Sequence, residues 1–284
     1  MEAVGGQAII EGVLIKKGSK VGLAVRNPNG KIITKEQTHK SLTKKYKILN
    51  ILIIRGTVIL FETMILGIKA LNDSANIAIE NENKEEKMGT LTILSTIFFS
   101  IIFALIIFKL IPLGIAQFSS YYYSFENKYL FNFIEGISKI IILTLYLVVI
   151  SLMPSVKRVF QYHGAEHKVV NAYEHNDLRN AKKYSRIHIR CGTSFIIFVI
   201  FVSIIVYMFL PADISFLAKY GLRILLLPLI AGIAYEIIRI SPKYEKSIFF
   251  KIIMLPGLLL QRLTTREPDD DQIQVAKSAL KIVA

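Results

Sequence analysis

Four stretches, residues 91–111, 133–153, 193–210 and 222–240, are built almost wholly from Ile, Leu, Val, Phe and other apolar residues, and they leave few folds open. In hydrocarbon every backbone N–H and C=O must be satisfied within the chain, so such a run folds as an α-helix. At about 1.5 Å of rise per residue, about 20 residues cross a hydrocarbon core about 30 Å thick. Residues 91–111 carry only Lys109, near their end, and 193–210 carry no charge. Residues 133–153 hold Glu135 and Lys139 in their first turns; 222–240 are the least uniform, with Arg223 at the start and Glu236 and Arg239 at the end. A fifth apolar stretch, 247–260, is interrupted by Lys251, Pro256 and Gly257 and reads as interfacial or re-entrant.

Hydrophobic residues make up 53% of the 284, more than a soluble domain of this size needs. The expected fold is therefore an α-helical integral membrane protein of about four transmembrane helices, with a small N-terminal β-hairpin region and cytoplasmic or interfacial helices. The net charge of +14 flanks the apolar spans, which points to the anionic inner-leaflet lipid surface as partner and away from nucleic acid. Residues 1–87, 154–192 and 239–284 hold 14, 8 and 8 of the 35 Lys and Arg residues. By the positive-inside rule both termini and the central loop face the cytoplasm of a multi-pass cell-membrane protein, with 117–132 and 211–220 outside. No cleavable leader is visible in the opening residues, and the single Cys191 cannot form an intramolecular disulfide.

Three regions follow. Residues 1–88 combine a β-hairpin and an amphipathic helix, 89–261 hold the four spans around a His-containing cytoplasmic segment at 154–192, and 262–284 form a C-terminal loop and helix. Within 4–38, short alternating runs flank an Asn-Pro-Asn-Gly turn at 27–30. From 42 to about 79 the period becomes helical, with Arg55, Glu62 and Lys69 at seven-residue spacing forming one polar stripe. Residues 81–87 read as a charged linker.

The chemistry concentrates in His163-Gly-Ala-Glu-His167. On a helix, residues three and four apart are neighbours, so His163 and His167 converge with Glu166 beside them. Phe160, Val170 and Glu174 continue that stripe, and Ser155 is placed to cap the helix. His-x-x-Glu-His is the reversed zinc-hydrolase spacing, in which two His bind the ion and the Glu acts as general base. Further ligands are available in Glu174, His188 and Cys191, so a divalent metal, zinc first, is the expected cofactor. A closed His3Cys set would be structural; an open position beside Glu166 would permit hydrolysis. The plain alternative is a linker helix with solvated His and Glu. Gly164 allows either close backbone approach or a bend.

Other polar groups need partners in apolar surroundings. Gln7 reads as bonding backbone at a strand end, whereas Glu11 faces either backbone or the His site. Glu236 and Arg239, one turn apart, are expected to pair, and Asp269 or Asp270 to cap a final helix over 272–283. Arg266 and Glu267 would join the site if their loop folded back.

Gly5-Gly-Gln-Ala-Ile-Ile-Glu-Gly12, Tyr162-His-Gly-Ala-Glu-His-Lys168, His188-Ile-Arg-Cys-Gly-Thr-Ser-Phe195 and Leu263-Thr-Thr-Arg-Glu-Pro-Asp-Asp270 together resemble the motifs of the YqhQ-like family of bacterial membrane proteins, in the same order and over nearly the whole chain. Ile189 stands where that pattern usually has Pro. The resemblance implies a bacterial inner-membrane location and a domain of unknown function, sometimes described as a predicted metal-dependent enzyme; it implies no substrate. Two functions compete: a membrane-embedded metal-dependent hydrolase with its active site at the cytoplasmic face, or a non-catalytic scaffold with a structural metal site and a basic lipid- or partner-binding face. Transport through Glu135, Glu236 and Arg239 would require a homo-oligomer, since four spans without repeats make a poor pathway.

Overall fold

The computed structural model describes residues 4–79, 90–211, 214–244 and 247–284. The N-terminal region is a four-stranded antiparallel meander, β1 (Val4–Ile9), β2 (Gly12–Lys17), β3 (Lys20–Arg26) and β4 (Ile32–Thr38), in sequence order. The expected hairpin is β3–β4, closing at Arg26 opposite Ile32. Two further strands precede it, because tight turns with left-handed backbone at Glu11 (φ 52) and Gly18 (φ 59) reverse the chain twice more. Period-2 alternation gives this sheet two apolar faces. Val13, Ile15 and Ala24 pack on one side against Tyr162, Val169, Ala276 and Leu280; Leu14, Leu23 and Val25 pack on the other against Leu66 and Ala70. The sheet is thus a middle layer, and β2 is buried along most of its length.

The helix expected from 42 to 79 is divided. Ser41 caps a single turn, α1 (Leu42–Lys45), and the left-handed Ile53 (φ 73) redirects the chain before α2 (Ile54–Ile79) begins. The charged linker expected at 81–87 lies outside the described residues. Next, α3 (Thr90–Leu105), a π-turn (Ile106–Leu110) and α4 (Ile111–Tyr122) run on as one helix, so the first apolar stretch extends well beyond its expected end at residue 111. Asn127 caps α5 (Lys128–Ser151).

Leu94–Tyr122 and Lys128–Ser151 are long and apolar enough to cross a bilayer. A third crossing requires taking α8 (Phe216–Leu225) and α9 (Leu227–Ile240), bent by 45°, as one span. Among the described residues the expected four are thus two to three candidates. The remaining apolar helix, α7 (Gly192–Tyr207), has 16 residues and is only about 24 Å long, short of a hydrocarbon core. It packs against α5, α9 and α10 (Ile248–Thr264). Pro256 lies within α10, which stays helical where an interruption was expected.

Two polar-faced helices complete the chain. α6 (Pro154–Glu174) starts with Pro154 at its first position and Met153 as cap residue, so Ser155 does not cap it; proline is pre-organised for that position and lacks the N–H a cap would bind. α11 (Asp270–Val283) starts with a capping box in which Asp269 and Gln272 exchange hydrogen bonds. Both helices cover one face of the sheet.

Candidate metal centre

His163, Glu166 and His167 lie on α6, and Cys191 is the residue from which α7 starts, its Sγ accepting from the Thr193 N–H at 3.4 Å. The helix turn brings the two imidazoles to a ring separation of 4.4 Å. One nitrogen of each is fixed by backbone. His163 Nδ1 donates to the Thr264 carbonyl at 2.8 Å and His167 Nδ1 to the Arg186 carbonyl at 2.6 Å. With Nδ1 protonated, each Nε2 carries the lone pair, the arrangement in which an outer carbonyl orients a ligating His.

Cys191 Sγ lies 3.3 Å from His163 Nε2. The two imidazoles and the thiol form one group whose ligand atoms all lie within 4.8 Å of one another. Zinc bonds of about 2.1 Å to nitrogen and about 2.3 Å to sulfur, at a tetrahedral angle, put those donors about 3.5 Å apart. The donor set therefore suits a divalent ion in its chemistry, and the His163–Cys191 pair already stands at ligand spacing. Burial pushes the His167 pKa down, against hydrogen bonding to Cys191 that raises it, which keeps a buried imidazole neutral and able to ligate.

Glu166 stands beside this group, its Oε2 3.5 Å from His167 Nε2. It is buried, and desolvation raises its pKa; His163, His188, the Gly6 N–H and Arg190 act in the opposite sense. Gly6 is required here for space, since a Cβ would lie 2.8 Å from both Glu166 Cγ and Oε1.

The other candidate ligands point elsewhere. Glu174 pairs with Arg190, and His188 Nε2 lies 3.4 Å from Glu174 Oε2 while its Nδ1 accepts from the Arg190 N–H at 3.3 Å. The His188 ring stays near His167, at 5.8 Å, but the group of three donors includes neither His188 nor Glu174. Glu11 binds Arg158 and accepts from Tyr162 at 3.2 Å, on the far side of α6, and Gln7 bonds backbone as expected, donating to the Thr63 carbonyl at 3.3 Å, but from within β1 rather than from its end.

The loop after α10 does fold back. Arg266 N–H donates to the Phe160 carbonyl at 2.8 Å, Glu267 pairs with Lys168 at 2.7 Å, and a Cβ on Gly164 would collide with the Arg266 carbonyl. Gly164 serves close approach, and this approach delivers the Thr264 carbonyl to His163. The carbonyls of Thr264 and Arg186 and the amide of Gly6 were beyond sequence reasoning, since backbone groups carry no residue signature; only the glycine itself hints at a close contact.

A cavity of about 480 Å³ opens onto His163, Glu166 and Cys191. Its far wall is apolar, from Ile59 and Leu66 of α2 and Ile238 of α9, and Lys16 and Arg239 supply positive charge.

All four motifs quoted from the sequence meet around this centre. A family model described as "Protein of unknown function (DUF1385)" matches residues 51–284. The chain is 34% identical over 288 residues to "Uncharacterized protein YqhQ" of Bacillus subtilis (strain 168), covering 96% of this chain and 90% of the relative. The chain belongs to this family. No solved structure matches it. What membership adds is that the convergent motifs are those of a YqhQ-like protein; the family description carries no reaction.

Proposed function

We propose that the protein is a metal-dependent hydrolase of the cell membrane, with its active site at the cytoplasmic face. His163, His167 and Cys191 hold the divalent ion, zinc first, and Glu166 moves the proton. The observation that carries this reading is the pair of Nδ1-to-carbonyl hydrogen bonds, which turn two Nε2 lone pairs toward one thiol. Three protein donors, as found among the described residues, match the ligand count of catalytic rather than structural zinc sites. A bound ion supplies Lewis acidity. Glu166, within reach of the same point and screened from bulk water, takes a proton from the attacking water and returns it to the leaving group. The apolar wall of the cavity limits competing water, and its basic groups suit a substrate with negative charge.

The scaffold alternative needs a closed set of four donors. His188, the natural fourth, is engaged with Glu174 and the Arg190 amide, which favours the open site. The distribution of Lys and Arg supports cytoplasmic termini and contact with anionic inner-leaflet lipid.

Glu166→Gln separates the two functions. In a strain lacking the native protein, this variant is expected to bind metal at wild-type stoichiometry yet fail to restore function, as His163→Ala fails. Full restoration by Glu166→Gln, with loss in His163→Ala, would instead establish the scaffold.

A further inference from the structure

The five Lys and Arg residues outside the three basic regions are Lys109, Lys128, Lys139, Lys219 and Arg223, and the fold gathers them at one place. They come from three elements: the π-turn, the first residue and fourth turn of α5, and α8. Lys109, Lys139 and Arg223 surround a single ring, Tyr207 at the end of α7, at 5.7, 4.8 and 4.7 Å from its centroid. Lys109 also donates to the Tyr207 hydroxyl at 3.2 Å. All three cations are buried, with 8%, 4% and 3% of their surface exposed.

Among the described residues, one buried carboxylate answers them. Glu135 binds Lys139 at 2.6 Å and Arg223 at 2.8 Å, and Asn132 accepts from Arg223 at 3.1 Å. Three buried basic side chains thus face one carboxylate, in a low-dielectric setting where a charge buried without a counter-charge is strongly disfavoured. A cavity of about 320 Å³ adjoins this cluster through Arg223, Asn132 and Tyr207; Lys128 and Lys219 supply its other cations, Glu126 is exposed there as the acidic group, and Lys109 and Lys139 are not on its wall. Lys109 sits on a π-turn, a helix irregularity frequent at functional sites.

We propose that this cavity is an anion site taking a phosphate group on a ligand of net negative charge, either the headgroup of an anionic lipid or free phosphate. Guanidinium and ammonium donors converging on one concave site are the recognised chemistry for phosphate. Position agrees with this. Cys191 and Tyr207 mark the two ends of α7, so the anion site lies about 24 Å along the helix axis from the metal centre, at the opposite end of the bundle. The site does not depend on the hydrolase reading.

The test uses the full chain in phosphatidylcholine nanodiscs, with thermal unfolding as readout. One arm adds inorganic phosphate against chloride of equal ionic strength; the other replaces part of the phosphatidylcholine with phosphatidylglycerol. A rise in Tm of several degrees in either arm, reduced at least by half in Arg223→Gln and in Lys219→Gln, is the expected result, and the responding arm identifies the source. Should Arg223→Gln fail to fold, Lys128→Gln combined with Lys219→Gln at the cavity edge carries the comparison. No rise in either arm, or a rise unchanged in the edge variants, overturns the proposal.

Discussion

Gly164 shows how one residue sets the geometry of the centre. Its missing Cβ lets the 264–268 loop lie on α6, and that contact puts the Thr264 carbonyl on His163 Nδ1. Gly164→Ala is expected to lower stability by about 1–3 kcal/mol, as overpacking does, despite the better helix propensity of Ala. Chemical unfolding would read this, and a variant as stable as wild type would show that the loop has no need of the close approach. The residues of the site were legible to different degrees. His163, Glu166 and His167 follow from i, i+3, i+4 spacing alone. The choice between Cys191 and His188 does not, because it depends on how the chain between α6 and α7 returns. There Arg190 and Glu174 form an ion pair that holds His188 to one side, and Cys191 remains beside His163. The orienting carbonyls were invisible for the reason that any residue can supply one.

Among the elements, α2 is the one whose attachment the sequence concealed. Its polar stripe suggested a helix lying along the interface or packed against a bundle, and Glu236 was expected to pair with Arg239. Arg239 does pair with Glu236, at 3.7 Å, but Arg55 reaches the same carboxylate with two hydrogen bonds of 2.6 Å. This bidentate pair ties α2 to α9 across 181 residues of sequence, and no local pattern encodes a partner so distant. Both side chains are less than a quarter exposed, so the pair is worth more than a surface ion pair, on the order of 1–3 kcal/mol. Glu236→Gln is expected to speed amide hydrogen exchange across α2 while leaving the β-sheet protected. Unchanged exchange in α2 would mean that Leu66 and Ala70, packed on the sheet, hold the helix without it. The strands illustrate a second limit. The Asn-Pro-Asn-Gly turn announced β3–β4, whereas the turn at Glu11 needs a left-handed backbone at a residue that gives little sign of it.

At the scale of the whole molecule, the presence of helices long and apolar enough to cross a membrane was legible in the composition, but their number was not. Hydropathy cannot distinguish a helix that faces lipid from one buried among other helices. α7 is uncharged and short and packs against α5, α9 and α10, leaving Ile196, Phe201 and Ile205 exposed, whereas α3 exposes Phe98, Phe99 and Phe103. Five basic residues gather toward the far end of α7. A reporter active only in the cytoplasm, fused after Ala284, is expected to be active; activity of a periplasmic reporter there would reverse the proposed orientation. The central claim is that two imidazoles and one thiol hold a metal ion. Elemental analysis of the purified protein tests it most directly. The account predicts about one transition-metal ion per chain, lost in His163→Ala, His167→Ala and Cys191→Ser and retained in His188→Ala; metal-free wild type, or metal that survives removal of the three donors, would contradict it.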